Sequence, residues 1–421
     1  MDESWLPEVQ RGAARQPEPV AEISDGWRAR LLDKGAKRAL ANCAIALRHA
    51  PEWAGVVAFD DFANSVVFKK APPWPSAADL PRKVVETDDI RGAEWCQVNG
   101  IACATPLTWA QAMQAHAINF RFHPVRDYLD GLKWDGDGRV DRWLTEYLGV
   151  EPSEYAAAVG ARWLISAIAR VFRPGTKADC VLILEGPQGA RKSTALRVLG
   201  EPWFTDHLDD IGSKDSQIQI AGIWIVEWPE LDAMSRVEVA RIKAFVSRGA
   251  DRFRPPYGHR LVDLARQSVF SGTTNSDRYL KDETGARRFW PVKCGAIDVD
   301  ALRRDRDQLW AEALVRFRDG AVWWLDRADL VSAAESEQAD RYEGGVWDSI
   351  IEPWVEGRES VSADEILGAC IQKPMERWTA ADRSAVGRAM RALGWERYKA
   401  GPRSARQWRY RPKSGGDPVT R

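Results

Sequence analysis

Apolar positions along this chain switch between helical and strand periods, and the switches mark out its parts. Residues 1–26 show no period and are rich in Pro, Glu and Ala, which predicts a disordered arm. From Trp27 the run LLDKGAKRALANCAIALRH has helical spacing and leads into the alternating stretch Val56–Lys69, with Asn64 placed for a hairpin turn. PPWP at 72–75 closes this small α+β unit, and a further helix is expected around Thr108–Asn119. A segment rich in Asp and Gly, His123–Leu148, follows. Leu164, Ile168, Val171 and Phe172 then recur at helical spacing up to a break at Pro174-Gly175. Beyond the break the period changes again. Cys180–Glu185, Gly222–Glu227 and Ser268–Thr274 are short, nearly continuous apolar runs of the kind that strands buried on both faces of a parallel sheet require. Between the last two, alternating runs flank Tyr257-Gly258-His259 and predict a hairpin. Near the C-terminus, Ser362-x-x-Glu365 and Thr379-x-x-Asp382 open two helices by capping-box patterns, the second ending at Leu393-Gly394. Glu396–Ala400 and Gln407–Pro412 then form a two-stranded ribbon, and the order matches a winged helix-turn-helix.

Composition narrows the class without naming it. At 421 residues the chain exceeds one ordinary core, and we expect an N-terminal α+β region (27–155), an α/β core (156–335) and a winged-helix domain (336–421). Lys+Arg 60 against Asp+Glu 61 leaves bulk charge uninformative, so any affinity for nucleic acid must come from local basic patches. The six cysteines form no C-x-x-C pair and read as reduced thiols. No apolar run approaches membrane-spanning length, the most hydrophobic stretch, Ala161–Phe172, carries Arg162 and Arg170, and the acidic, Pro-rich start is unlike a signal peptide. A bacterial cytoplasmic location is the expectation. The Asp130, Asp135, Asp137 spacing lacks the order of a calcium loop and reads as a turn.

Chemistry enters after the first buried run. Gly186-Pro187-Gln188-Gly189-Ala190-Arg191-Lys192-Ser193-Thr194 lies between a strand and a helix, the order a P-loop needs. There, backbone N–H groups and a helix N-terminus converge on phosphates, Lys192 would reach the β/γ oxygens of ATP, and the Ser193 hydroxyl would hold Mg²⁺. Arg191 stands where the usual pattern has Gly, which puts the loop geometry in question. About thirty-five residues on, Glu227 fits the strand-end acid that serves the metal, and Glu230 is the next candidate for the base that polarises water. Asn275, at the end of the third run, would orient that water or touch the γ-phosphate. Arg288, with Arg287 close behind, is the candidate for a cation supplied to a neighbouring subunit's phosphoryl group.

At this point the residues resemble a known family. LEGPQGARKST, WFTD (203–206), GIWIVEWPEL, RFRPPYG (252–258), SGTTNSDRYLKDETGARRFWPV and the upstream HPVRDYLDGLKWDG, in order over about His123–Val292, look like the virulence-associated protein E family. That family is similar to superfamily 3 helicases of phages, plasmids and pathogenicity islands. The resemblance implies a P-loop NTPase core of AAA+ type, a ring of subunits, expected to be a hexamer, and a role in replicating mobile DNA. It also implies that the hairpin before Asn275 projects into the ring pore, where Arg252, Arg254, His259 and Arg260 would follow a DNA strand; a structural hairpin at a subunit contact is the alternative. One departure stands out: Trp228 occupies the position where a second acid would follow Glu227.

A second DNA contact is expected at the C-terminus. From Gln372 onward, 13 Lys and Arg face 4 Asp and Glu. Arg388 and Arg391 on the helix and Arg403 and Arg406 at the ribbon tip would meet duplex DNA, with a protein-interaction role as the other reading. The sequence thus supports an ATP-dependent DNA helicase or translocase, with or without a separately recruited primase. The principal rival is a nucleotide-gated DNA-binding switch that loads an origin without unwinding.

Overall fold

The computed structural model describes residues 25–32, 38–76, 79–208, 211–253, 261–280, 286–341, 347–400 and 407–412. It divides into two compact units, one running to Leu132 and taking in Ala221–Ile223, the other comprising Lys133–Ile220 and Trp224 onward.

The first unit follows the predicted switch of period. After a short 3₁₀ turn, Asp25–Arg30, come helix α1 (Ala39–His49), strands β1 (Val57–Asp60), β2 (Ser65–Phe68) and β3 (Arg82–Lys83), helices α2 (Glu86–Val98) and α3 (Pro106–Ala117), strand β4 (Arg121–Phe122) and helix α4 (Pro124–Gly131). The sheet order is β3-β2-β1-β4, with β1 and β2 antiparallel and β4 parallel to β1. Asn64 takes a left-handed conformation (φ 49°) in the β1–β2 turn, as its position predicted. Thr105 caps α3 by accepting from the Thr108 amide, and Pro106 fills the position where no amide partner is needed. The core is built on tryptophan: Trp27, Trp53 and Trp109 are fully buried, with Trp74 and Trp95 packed edge-on against Trp53. Cys43 and Cys96 lie in the same core, their sulfurs 3.8 Å apart.

The second unit opens with α5 (Trp143–Leu148) and α6 (Glu154–Phe172). Then come β5 (Val181–Glu185), α7 (Lys192–Gly200), β6 (Phe204–Thr205), α8 (Lys214–Gln219), β7 (Ile225–Trp228) and α9 (Arg236–Val246). After these follow β8 (Ala250–Phe253), β9 (Val262–Ala265), β10 (Val269–Thr274), β11 (Phe289–Lys293), α10 (Val299–Arg318) and α11 (Ala328–Asp340). Five strands form a parallel sheet in the order β11-β5-β10-β7-β6. Residues 181–184 and 269–274 are buried throughout, the burial their continuous apolar character called for. Ser153 caps α6 by accepting from the Ala156 amide. This helix starts earlier than the apolar run alone indicated, and over its 19 residues it is long and apolar enough to cross a membrane, yet most of it is buried inside the fold. Tryptophan indoles tie α6 to the sheet side and α10 to α7: Trp163 donates to the Phe270 carbonyl at 2.9 Å, Trp224 to Ala167 at 3.0 Å and Trp310 to Leu199 at 3.1 Å.

The Asp- and Gly-rich turn after α4 is held by arginine and by a buried acid. Arg139 makes a forked pair with Asp135 at 2.9 Å, and Glu312 of α10, 1 % exposed, accepts the amides of Arg139 and Val140. No group of three or more His, Cys, Asp or Glu suited to a metal occurs among the described residues.

The C-terminal part of this unit contains α12 (Asp348–Val355), α13 (Ala363–Glu365, running on as a wider turn through Ile366–Cys370), α14 (Ala380–Ala392), β12 (Trp395–Ala400) and β13 (Gln407–Pro412). Both predicted capping boxes form, at Ser362/Glu365 and Thr379/Asp382. A core of Ile351, Val361, Leu367, Val386, Met390, Trp395 and Tyr410 joins helices and ribbon.

Candidate functional site

The carboxyl ends of β5, β7 and β10 open on one edge of the parallel sheet, where ligands bind in open α/β sheets. A cavity of about 350 Å³ lies there, lined by Gln188–Thr194, Pro229, Glu230 and Thr273–Asn275. That volume falls in the usual range for a small-molecule site.

Loop 186–191 leaves β5 and turns into α7. Gly189 is left-handed (φ 81°), and so is Arg191 (φ 66°), in the position where the usual pattern has Gly. An L residue there costs on the order of 1–2 kcal/mol, so the loop keeps the backbone path of a glycine at the expense of strain. Arg191 itself is exposed, on the cavity lining. Lys192, at the first position of α7, is buried, and burial lowers its pKa. Its ammonium donates to the carbonyls of Gly186 (2.7 Å) and Pro187 (3.0 Å) and to Asn275 Oδ1 (3.1 Å). The cation of one segment and the amide of another, 83 residues apart, thus meet.

The hydroxyl of Ser193 donates to Glu227 Oε1 at 2.6 Å, and Thr273 donates to the same oxygen at 2.8 Å. Glu227 is wholly buried, and its other oxygen, Oε2, has no protein partner among the described residues. Burial raises the Glu227 pKa, while the two hydroxyls oppose the shift. A buried carboxylate with a free oxygen beside a serine hydroxyl is a fitting donor pair for a hard divalent cation such as Mg²⁺, which takes only one or two protein oxygens and completes its shell with water and phosphate.

Strand alternation explains the departure at Trp228. Its side chain is on the opposite face from Glu227 and stacks on Phe270, with ring centroids 4.9 Å apart and planes 1° from parallel. That position serves packing, and the next acid, Glu230, reaches the cavity through a left-handed residue (φ 52°) and stays exposed.

Two supporting groups were not foreseen from the sequence. Asp232 accepts from the Thr274 hydroxyl at 2.8 Å and from the Asn275 amide at 3.4 Å, holding the end of β10. Glu185, the last residue of β5, is 2 % exposed and binds Arg341 in a fork, Nε to Oε1 at 2.5 Å and Nη2 to Oε2 at 2.9 Å, while the Tyr279 hydroxyl donates at 2.8 Å. Burial would lower the Arg341 pKa, but the Glu185 carboxylate outweighs it and the net shift is upward. A Glu closing an otherwise apolar run was the available signal, since such a group must find a cation. Its partner, 156 residues away, was not legible.

Arg288 is placed elsewhere. It precedes β11, whose parallel register sets Phe289 beside Val181 and Lys293 beside Glu185, so Arg288 lies at the amino edge of the sheet. About 16 Å of strand separates that edge from the loop. There Arg288 donates to Ser247 Oγ at 2.9 Å and pairs with Asp179 at 3.4 Å; Arg287 beside it is exposed. Neither reaches this chain's own cavity.

The hairpin before β10 is present as β8 and β9. Its root is a buried fork between Arg266 and Asp251, with the Arg266 guanidinium 4.2 Å from the Phe245 ring centroid. Arg252 is exposed and pairs with Asp263 across the strands at 3.4 Å. Arg391 is exposed at the end of α14. Arg254, His259, Arg260, Arg403 and Arg406, and the side chain of Arg388, lie outside the described residues.

The sheet, loop and both acids fall inside a stretch, residues 129–343, that matches the virulence-associated protein E-like domain. This match covers slightly more than half of the chain. The chain belongs to the virulence-associated protein E-like family. No curated protein matches it. Among solved structures it is similar to the C-terminal region of NrS-1 in its apo form, at 11% identity over 89% of this chain and 99% of that one, with a TM-score of 0.45. An A-form apo structure of the same region gives 12% identity over 85% and 96%, with a TM-score of 0.42.

Proposed function

We propose that this virulence-associated protein E-like chain is an ATP-hydrolysing motor of superfamily 3 type that moves along DNA in the replication of phage or other mobile elements. The observation that carries the reading is that Lys192, Ser193 and Asn275 line one cavity while Glu227, from a third strand end, accepts from Ser193 behind it. In this reading the backbone amides of 186–194 cradle the ATP phosphates, and Lys192 exchanges its carbonyl partners for phosphate oxygens. Ser193 and Glu227 hold Mg²⁺, which would neutralise charge on the phosphates when bound. Glu230 and Asn275 order the attacking water.

The place of Arg288 at the far edge of the sheet supports a role in trans, toward the phosphates of the next subunit of a hexameric ring. The hairpin rooted by Arg266 would contact a single strand in the pore, and the C-terminal helices and ribbon would act as a winged helix on duplex DNA. A replication partner such as a primase, and a location in the bacterial cytoplasm, complete the proposal. The strained Arg191 and the exposed Glu230 favour the second reading, a nucleotide-gated DNA switch with little turnover.

Steady-state ATP hydrolysis with and without single-stranded DNA tests both. The motor reading expects stimulation by DNA and its loss in Lys192→Ala; Arg288→Ala should lower turnover by roughly 10³-fold or more, the effect of removing such an arginine. Binding of ATP by the wild type without hydrolysis, with or without DNA, would replace the motor with the switch.

A further inference from the structure

The ribbon β12–β13 carries a surface that the site above does not use. Register places Trp395, Arg397 and Lys399 of one strand on the same face as Tyr410 and Trp408 of the other. The inner half of this face is core, with Trp395 7 % and Tyr410 4 % exposed. The outer half is open: Arg397 and Lys399 are exposed and Trp408 is 47 % exposed. The Arg397 guanidinium lies 4.2 Å from the Trp408 ring centroid and the Lys399 ammonium 5.0 Å. On the opposite face the cations are engaged by acids, Arg409 with Glu365 at 3.0 Å and Arg411 with Glu396 at 2.7 Å. The Trp408 face has no acid among its described ribbon residues, so its two charges are available to a polyanion.

We infer that Trp408, flanked by Arg397 and Lys399, is a binding point for single-stranded nucleic acid, the indole stacking on an unpaired base while the two cations neutralise adjacent phosphates. An exposed indole offers a flat ring of about base size, and base–aromatic stacking tolerates any sequence. In a duplex the base faces are already stacked on one another, so the ring has no base to receive; the charges alone would act there. The ribbon would then favour DNA with an unpaired strand, such as a fork. The inference rests on the DNA-motor reading and revises one part of it: the C-terminal helices keep the duplex contact, and the ribbon takes the unpaired strand.

The test uses the full chain, a labelled single-stranded oligonucleotide and a blunt duplex of the same sequence, with affinity read by fluorescence anisotropy over a salt series. Trp408→Ala should weaken single-strand binding about 10-fold, within the range of one lost stacking contact, and change duplex binding little. Trp408→Phe should restore most of it. Arg397→Gln with Lys399→Gln should reduce the salt slope on single strands by about 1.4, two phosphate contacts' worth. Thermal midpoints of the variants, which change exposed side chains, should match the wild type. Unchanged single-strand affinity in Trp408→Ala, or equal losses on both DNA forms, would overturn the inference. Wild-type ATP turnover measured alongside keeps the two readings apart: turnover with an unaltered Trp408→Ala sinks only the ribbon assignment, whereas absence of turnover sinks the motor.

Discussion

Replacing Arg341 with Met should destabilise the second unit by about 3–5 kcal/mol, the usual cost of removing one partner of a buried ion pair. The magnitude follows from what the substitution leaves behind. Glu185 stays 2 % exposed, loses two charged hydrogen bonds and, among the described residues, keeps the one from Tyr279. The backbone contacts of residue 341, whose carbonyl accepts the amides of Tyr279 and Leu280, survive the change. A stranded carboxylate can escape by taking a proton, which at neutral pH costs about 3.7 kcal/mol for an ordinary glutamate, so the penalty has a ceiling near that figure plus the lost hydrogen bonding. For a unit of this size about 3–5 kcal/mol corresponds to a fall in melting midpoint of roughly 6–20 °C. Calorimetry or circular dichroism would measure it, and the deficit should shrink in acid, where the proton is cheap. The double variant Arg341→Met with Glu185→Gln should recover part of the loss, because no charge remains to be stranded. Since Glu185 adjoins Gly186, binding of a fluorescent ATP analogue should weaken in the single variant more than in the double. A loss below about 1 kcal/mol, or one that does not shrink in acid, would refute the view that this pair fastens the strand beneath the loop.

Two pH-dependent consequences follow from other buried groups. Burial raises the Glu227 pKa above its ordinary 4.5, so the folded chain holds this proton more tightly than the unfolded one, and the group's effect on stability becomes less favourable as pH rises through the window above 4.5. Glu227→Gln should therefore melt higher than the wild type at neutral pH while losing ATP turnover, and an unaltered or lower midpoint at neutral pH would count against the burial argument. In the first unit His116 is buried, its Nδ1 lacks a partner among the described residues, and burial pushes its pKa down to about 4. The stability tied to its neutral form is present above 6.5 and is lost as pH falls from 6.5 toward 4; His116→Leu should flatten that acid slope, and an unchanged slope would assign it to other groups.

Local physical chemistry made much of this legible in the sequence. Runs apolar at nearly every position specify strands buried on both faces, Gly residues and Lys-Ser between a strand and a helix specify a turn into a helix N-terminus, and Ser or Thr followed three residues later by Glu or Asp specifies a helix start. Each is a short-range property, and 181–194, 225–230, 269–275, 362–365 and 379–382 were readable for that reason. Long-range pairing was not. That Lys192 meets Asn275, that Ser193 meets Glu227, and that Glu185 meets Arg341 depends on strand order, which no local pattern encodes. Nor could the sequence say how Arg191 stands in for glycine, which is a matter of backbone strain borne by the whole loop. The same holds for Trp228 and Arg288: alternation and register, visible only once β7 and β11 are placed in the sheet, send the first to a core stack and the second to the edge away from the cavity. Sequence offered the candidate residues; tertiary structure decided which of them meet, because the ends of strands become neighbours only in the assembled sheet.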